Sequence, residues 1–174
     1  GADGMPYVVF RSNVDNVVNV MSYNGSTWTS VGGIEPMPFG PETSLQIRAD
    51  ANGFVYVGGM NSGGSFRLWK YDGSAWNPIS NPLDMDPVVS FDLALVDQIP
   101  FMALTTNTGD IQIYYQPFGS FYWYQIDMPR ADIQNPRLSS DGRNLYLVGV
   151  EPVNPYGLLI YRLQPYGGFA EMGN

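Results

Sequence analysis

The sequence predicts an all-β protein, and three observations support that fold class. Short segments rich in β-branched and aromatic residues, such as residues 54–57 and 66–71, have the length and apolar pattern of strands. Turn residues separate these segments, and the pair Asp72 and Gly73 is typical of a hairpin. No segment keeps a helical period of apolar residues, and 14 prolines and 20 glycines disfavour long helices.

The chain contains internal repeats. Segments 23–28 and 71–76 correspond position by position and lie 48 residues apart, and a second set of aromatic residues recurs upstream in each repeat. The first series is Trp28, Trp76, Trp123 and Phe169, and the second is Tyr7, Tyr56, Phe101 and Tyr146. Two series at one period predict four repeats of about 47 residues, at roughly 1–33, 43–81, 89–128 and 134–174.

Each repeat has the composition of one β-propeller blade, which is a sheet of four short antiparallel strands. Residues 1–174 are therefore predicted to form a single β-propeller-type domain or part of a propeller. The first repeat starts where the innermost strand of the others ends, so we expect it to lack that strand. Three arrangements stay open: a piece of a longer propeller, an imperfectly closed four-blade ring, or chains that join edge to edge so that two make eight blades.

The second repeat resembles the Kelch-type repeat. Gly58 and Gly59 follow an apolar strand, and Tyr71 and Trp76 flank the next turn. In the Kelch family a glycine pair ends the second strand, and a tyrosine and a tryptophan lie on either side of the third turn. Only residues 45–80 carry the full motif. The resemblance implies a propeller that serves as a binding module.

Composition excludes several functions. Eight basic residues against 16 acidic ones give a net charge of −8, without the clustered arginines and lysines that nucleic acid requires. Histidine and cysteine are both absent, which rules out Ser-His-Asp triads and Cys/His metal sites. The apolar runs are shorter than the roughly 18 residues of a membrane-spanning helix. We therefore expect no enzyme activity, no cofactor, no nucleic acid and no membrane span, with a protein or glycan as the partner.

Two short acidic segments, 50–53 and 84–86, place oxygen ligands two residues apart, as calcium loops do. Neither continues into the spaced ligands of such a loop. We expect both to be solvated turns and predict no metal site.

The predicted ligand site lies in the loops that follow the second strand of each repeat. These loops carry asparagines that recur at steps of 48, 46 and 47 residues, with charged residues close by. Amides and carboxylates suit sugar hydroxyls because they combine donors and acceptors. The alternative is that asparagine favours tight turns for conformational reasons. The candidate binding residues are Asn13, Asn61, Asn107, Asn154, Arg11 and Asp110.

Aromatic residues suggest two further roles. The series that includes Trp28 and Trp76 could stack on sugars, but packing between neighbouring blades is the better interpretation, since large aromatics dominate such contacts. A second group is denser than packing requires, because alternation along a strand buries about half of it. This group is Phe118, Phe121, Tyr122, Trp123 and Tyr124. We expect it to leave an adhesive surface for a partner.

These features favour a non-catalytic module that recognises a glycan or a protein through propeller loops. One alternative is a structural component of a larger surface or virion assembly built through open strand edges. A glycoside-acting enzyme is a further alternative. We expect the protein outside the cell or on a cell or virion surface, as a homo-oligomer or as part of a longer chain.

Overall fold

A computed structural model describes residues 4–15, 17–34, 44–79, 87–128, 133–151, 157–164 and 167–172 of the chain. Within these residues the chain forms strands and turns and contains no helix. The strands make four antiparallel sheets, and each strand pairs with its neighbour in sequence. The predicted all-β fold is therefore confirmed.

Each sheet corresponds to one sequence repeat. Sheet 1 contains β1 (Tyr7–Arg11), β2 (Val18–Tyr23) and β3 (Trp28–Ile34). Sheet 2 contains β4 (Ser44–Ala49), β5 (Val55–Met60), β6 (Phe66–Tyr71) and β7 (Trp76–Ile79). Sheet 3 contains β8 (Val88–Val96), β9 (Ile99–Thr106), β10 (Ile111–Tyr115) and β11 (Tyr124–Ile126). Sheet 4 contains β12 (Gln134–Ser140), β13 (Leu145–Val150), β14 (Leu158–Leu163) and β15 (Phe169–Glu171).

Sheet 1 has three strands where the other three sheets have four. Tyr7 pairs with Ser22 of β2 in the register in which Tyr56 of β5 pairs with Lys70. β1 is therefore the counterpart of the second strand in sheet 2. The structure confirms that the first repeat lacks its innermost strand within the described residues.

The chain divides into two compact units, Gly1–Asn81 and Pro82–Asn174. The first unit holds sheets 1 and 2, whose facing sides form its core. Fully buried valines lie at the centre: Val18 and Val20 come from β2, and Val55 and Val57 from β5. Their branched side chains suit strands that are buried on one face. The prediction of one single domain stays a prediction.

Trp76 connects the two sheets of the first unit. Its indole Nε1 donates a hydrogen bond to the carbonyl oxygen of Val31, at 3.2 Å. Gly32 permits this approach, because a Cβ at that position would lie 3.3 Å from Nε1 and the backbone φ is +101°. The tryptophan thus packs between neighbouring sheets, as the repeat pattern predicts.

The second unit holds sheets 3 and 4, which enclose a larger core. Its buried residues include Phe101 and Ile113 of sheet 3 and Leu147 and Tyr161 of sheet 4. The carboxylate of Asp92 lies inside this unit, 5% exposed, and accepts hydrogen bonds from the backbone N–H of Leu93 and of Leu138. Asp92 therefore joins β8 to β12 of the next sheet.

Candidate functional site

The predicted asparagines lie in loops that follow equivalent strands. Asn13 follows β1, Asn61 follows β5 and Asn107 follows β9. Asn154 lies outside the described residues. Arg11 is the last residue of β1 and is half-buried, while Asp110 precedes β10 and is exposed. Arg11 and Asn13 thus share one loop region, and Asn107 and Asp110 share another.

Backbone hydrogen bonds establish which loop positions are equivalent. In each repeat a backbone N–H at the start of the loop, which in the third repeat belongs to the last residue of β9, donates to the carbonyl of the residue just before the next strand. The pairs are Ser12 to Val17, Asn61 to Ser65, Thr106 to Asp110 and Glu151 to Gly157, at 2.9–3.1 Å. Asn61 occupies this first position, whereas Asn13 and Asn107 occupy the second.

The polar side chains of these loops hydrogen-bond within their own turns. Asn61 Oδ1 accepts the N–H of Ser65 at 2.8 Å, and Thr106 Oγ1 accepts the N–H of Asp110 at 3.1 Å. The Asp110 carboxylate accepts the Thr108 hydroxyl at 2.8 Å. These contacts match the turn-forming role that asparagine and threonine play near backbone N–H groups.

The position shared by Ser12, Asn61, Thr106 and Glu151 could have been found from the sequence. These four residues each lie five positions after the aromatic series Tyr7, Tyr56, Phe101 and Tyr146. Counting from that series, instead of aligning asparagines, gives the loop register that the hydrogen bonds show.

The aromatic residues at the start of the last strand of each repeat differ in how deeply they are buried. Trp76 and Phe169 begin β7 and β15 and pack against the cores of their units. Trp123 directly precedes β11 and is half-buried. Trp28 begins β3 but is 45% exposed. Packing therefore explains Trp76 and Phe169, and Trp28 differs from them.

The hairpin between β10 and β11 carries the most exposed aromatic group in the described residues. Exposed fractions are 76% for Phe118, 81% for Phe121, 71% for Tyr122 and 49% for Tyr124. We call residues 117–124 the aromatic turn. A soluble chain seldom exposes contiguous large aromatic side chains unless they contact a partner. Four of the five predicted rings are thus exposed, and their contact with a partner stays a prediction.

The aromatic turn is held by its own hydrogen bonds. The N–H of Ser120 bonds to the carbonyl of Pro117 at 3.0 Å. Ser120 Oγ accepts the N–H of Tyr122 and donates to the carbonyl of the same residue, at 3.0 and 3.2 Å. Gly119 has a φ of +76°, which favours glycine. The exposed rings thus project from a defined backbone.

Stacked rings connect the aromatic turn to the core. The Tyr124 ring centroid lies 5.7 Å from that of Tyr115, which lies 5.6 Å from that of the buried Phe101. Such distances are typical of favourable aromatic pairs.

This turn is also longer than its counterpart in the second repeat. Residues 116–123 lie between the paired Tyr115 and Tyr124, whereas residues 71–76 lie between the paired Lys70 and Asn77. The extra length is not needed to connect two strands, because the second repeat closes the same hairpin without it.

Two ionisable residues of the second repeat, Tyr56 and Asp50, have roles in the fold. Burial, together with the nearby charge of Asp50, raises the pKa of Tyr56 to about 12, so this phenol stays protonated at neutral pH. Asp50 itself accepts the N–H groups of Asn52 and Phe54, so segment 50–53 forms a turn. Among the described residues no three acidic side chains cluster as a metal would require. Segment 84–86 lies outside them.

No family model matches the sequence, and no curated protein matches it. Solved structures do resemble the fold. The SapL1 lectin, solved with alpha methyl fucoside, has a TM-score of 0.64 at 14% identity, covering 99% of this chain and 62% of the lectin. A variant of Aleuria aurantia lectin, solved with alpha-methyl-L-fucoside, has a TM-score of 0.61 at 11% identity, covering 98% of this chain and 61% of the lectin.

A third similar structure is the Bacteroides ovatus protein GH43B of a xyloglucan PUL. Its TM-score is 0.55 at 14% identity, covering 97% of this chain and 38% of that protein. The chain thus spans less than two thirds of the length of each of these structures. At such low identity the likeness shows the fold, which is a β-propeller. In the residues described, no helix is long and apolar enough to cross a membrane.

Proposed function

We propose that this chain is a non-catalytic glycan-binding module of the β-propeller fold, and that the aromatic turn contacts the sugar. The observation that carries the proposal is the exposure of four aromatic rings on one hairpin, between 49% and 81%. The likeness to two lectins solved with fucosides supports glycans as the ligand class. We also propose that residues 45–80 form a Kelch-type repeat, which implies a propeller that serves as a binding module.

The chemistry of the aromatic turn suits a sugar. One face of a pyranose ring presents C–H groups that pack on an aromatic ring, while its hydroxyls need polar partners. Phe118 and Phe121 offer apolar faces, and the phenols of Tyr122 and Tyr124 add a hydroxyl that can donate or accept. The net charge of −8 favours a neutral ligand over a polyanion.

The loops with Asn13, Asn61, Asn107, Arg11 and Asp110 form the rival surface. The Asn61 side chain already serves its own turn, because its Oδ1 accepts the backbone N–H of Ser65. We propose that these loops shape the protein and that the aromatic turn supplies the principal contact. We also propose that the protein is secreted or exposed on a cell or virion surface, because such a location fits a glycan ligand.

The experiment is a glycan array probed with four proteins. These are the unchanged chain, the double variant Phe121→Ser/Tyr122→Ser, the double variant Asn61→Ala/Asn107→Ala, and the control Val14→Ser. Val14 is 96% exposed in a turn of the first unit, so its change replaces an exposed apolar side chain that is not part of the aromatic turn. All four are first compared by circular dichroism.

We expect saturable binding by the unchanged chain and by Val14→Ser, with affinity reduced roughly tenfold or more in the aromatic double variant. The asparagine double variant should retain binding. Absence of glycan binding, or binding that survives Phe121→Ser/Tyr122→Ser unchanged, contradicts the proposal. Turnover of a glycoside that disappears with one carboxylate would instead support the enzyme alternative that GH43B represents.

A further inference from the structure

Sheet 1 has one face that packs and one that is exposed. Tyr7, Val9, Val18, Val20 and Val31 pack toward sheet 2. The opposite face carries Val8 and Met21, which are cross-strand partners, and Trp28, which pairs with Tyr23. Phe10 lies two residues from Val8 and so on the same face. We call this set of five residues the Trp28 face.

The Trp28 face is the counterpart of the side of sheet 2 that sheet 1 covers. Tyr23 and Trp28 pair across strands as Tyr71 and Trp76 do, and the ring centroids lie 5.3 and 5.2 Å apart. In sheet 2 this side includes Val57, which is fully buried.

The same positions are open to solvent in sheet 1. Val8, the counterpart of Val57, is 39% exposed, while Phe10 is 43% and Trp28 45% exposed. The Trp28 face thus has the residues of a blade-to-blade contact without the covering sheet. The contact inside the first unit shows what would cover it: β-branched or aliphatic residues such as Val18 and Val20, and a carbonyl for the indole N–H.

Sheet 4 presents such a surface. Inside the second unit its buried side, with Leu147 and Tyr161, packs toward sheet 3. Its other side carries Val148 paired with Ile160 and Val150 paired with Leu158. We call these four residues the Leu158 face. Leu158 is 57% exposed, and the other three are half-buried.

The Leu158 face is equivalent by register to the side of sheet 1 that covers Trp76. Leu158 pairs with Val150 as Val18 pairs with Arg11, and Ile160 pairs with Val148 as Val20 pairs with Val9. Leu158 and Ile160 therefore stand where Val18 and Val20 stand in sheet 1. In the first unit those valines are fully buried by the neighbouring sheet.

We infer that the Trp28 face of one copy docks against the Leu158 face of a second copy of this chain. The repeat supplies the geometry, because the same contact already exists between sheets 1 and 2. One chain carries both apolar surfaces, so a second copy supplies the apolar partner that the Trp28 face lacks. The contact is heterologous, and in the pair that we infer it forms twice, so that each copy contributes both faces. The inference rests on packing between sheets and does not depend on glycan binding.

Native mass spectrometry and multi-angle light scattering of the 174-residue chain test the proposal. We expect a mass twice 19.3 kDa. Phe10→Asp on one face and Leu158→Lys on the other should each raise the dissociation constant at least roughly tenfold, since a charge enters a desolvated contact. Val14→Asp is the matched control and should leave the double mass unchanged.

Mixing the two variants makes the test specific for a heterologous contact. Phe10→Asp of one copy then meets Leu158→Lys of the other, and the second contact of the closed pair is unaltered. The double mass should return in the mixture. Circular dichroism of each variant alone first checks that its β-sheet content is unchanged.

Two results overturn the inference. The unchanged chain could remain a 19.3 kDa monomer at about 100 µM, a concentration at which even a weak micromolar contact forms. Alternatively, folded Phe10→Asp and Leu158→Lys could keep the double mass. If the aromatic-turn variant loses glycan binding but keeps the double mass, the result bears only on the proposed function of the aromatic turn. The inference of a pair is then unaffected.

Discussion

Carboxylates and amides in this chain act mainly as hydrogen-bond acceptors for the backbone of their own turns. Asp72 accepts the N–H groups of Ser74 and Ala75 at 2.9 Å. Asn24 accepts the N–H groups of Ser26 and Thr27 at 3.0 Å in the equivalent turn of the first repeat. One turn therefore uses a charged acceptor and the other a neutral one for the same geometry, which is the familiar role of these residues in Asx turns.

The charged version makes stability depend on pH. Hydrogen bonds lower the pKa of the Asp72 carboxylate from its ordinary value of 3.8. The largest effect comes from the backbone N–H of Ala75 and the next from Ser74. The stabilisation is present above the unfolded pKa and is lost as the pH falls through the lower pKa of the folded state. We predict that Asp72→Ala lowers the Tm at pH 7, and that the difference from the unchanged chain shrinks at pH values well below 3.8.

Asp72→Asn is the control, because it copies Asn24 and keeps an acceptor oxygen that does not titrate near this pH. Thermal melts of the three proteins between pH 7 and pH 2 measure the effect. A Tm difference for Asp72→Ala that is the same at both ends of this range would contradict the assignment.

Neighbouring sheets are joined by a few specific side chains as well as by apolar packing. In the second unit Asp92 of β8 accepts the N–H of Leu138 in β12 at 2.8 Å, within a buried environment. A buried N–H that loses its acceptor costs about 1–3 kcal/mol. The contact therefore fixes where β12 lies against sheet 3.

We predict that Asp92→Ala lowers the free energy of unfolding by about 1–3 kcal/mol, because it leaves the Leu138 N–H without this acceptor. Asp92→Asn should lose less, since its amide oxygen can still accept. Urea unfolding followed by tryptophan fluorescence gives both values. Equal losses in the two variants, or a loss below about 0.5 kcal/mol for the alanine variant, would show that the hydrogen bond does not stabilise the unit.

The sequence predicted the elements well and the environments of individual side chains less well. Strands, turns and the missing inner strand depend on local patterns, such as alternation in β6 and the turn residues after Tyr71. Trp28 and Trp76 occupy matching sequence contexts, yet only Trp76 is packed against a neighbouring sheet. That difference depends on which sheet lies next to each, which a local pattern does not contain.

For the predicted site, too, the sequence indicated the loops better than the environment of each side chain. Asparagine in the loops was correctly placed after equivalent strands, but the loop register came from backbone pairing and put Asn61 at a different position from Asn13 and Asn107. The dense aromatic segment was visible in the sequence. Its exposure depends on the longer hairpin and on the tilted contact of the Tyr124 ring with Tyr115, which only the structure shows.

As a whole, the molecule combines a repeated fold with a hairpin that departs from the repeat. Within the described residues the four sheets follow a common plan of antiparallel strands joined by turns. The aromatic turn does not follow it, because four large rings remain exposed on a hairpin that the second repeat closes with fewer residues. We place binding there for that reason.

An NMR chemical-shift map with a fucoside and other glycans found on the array tests this account most directly. The account predicts that backbone and aromatic resonances of residues 117–124 shift in a saturable manner, while those of Asn61 and Asn107 do not. Shifts confined to the asparagine loops, or none at any glycan concentration, would contradict it.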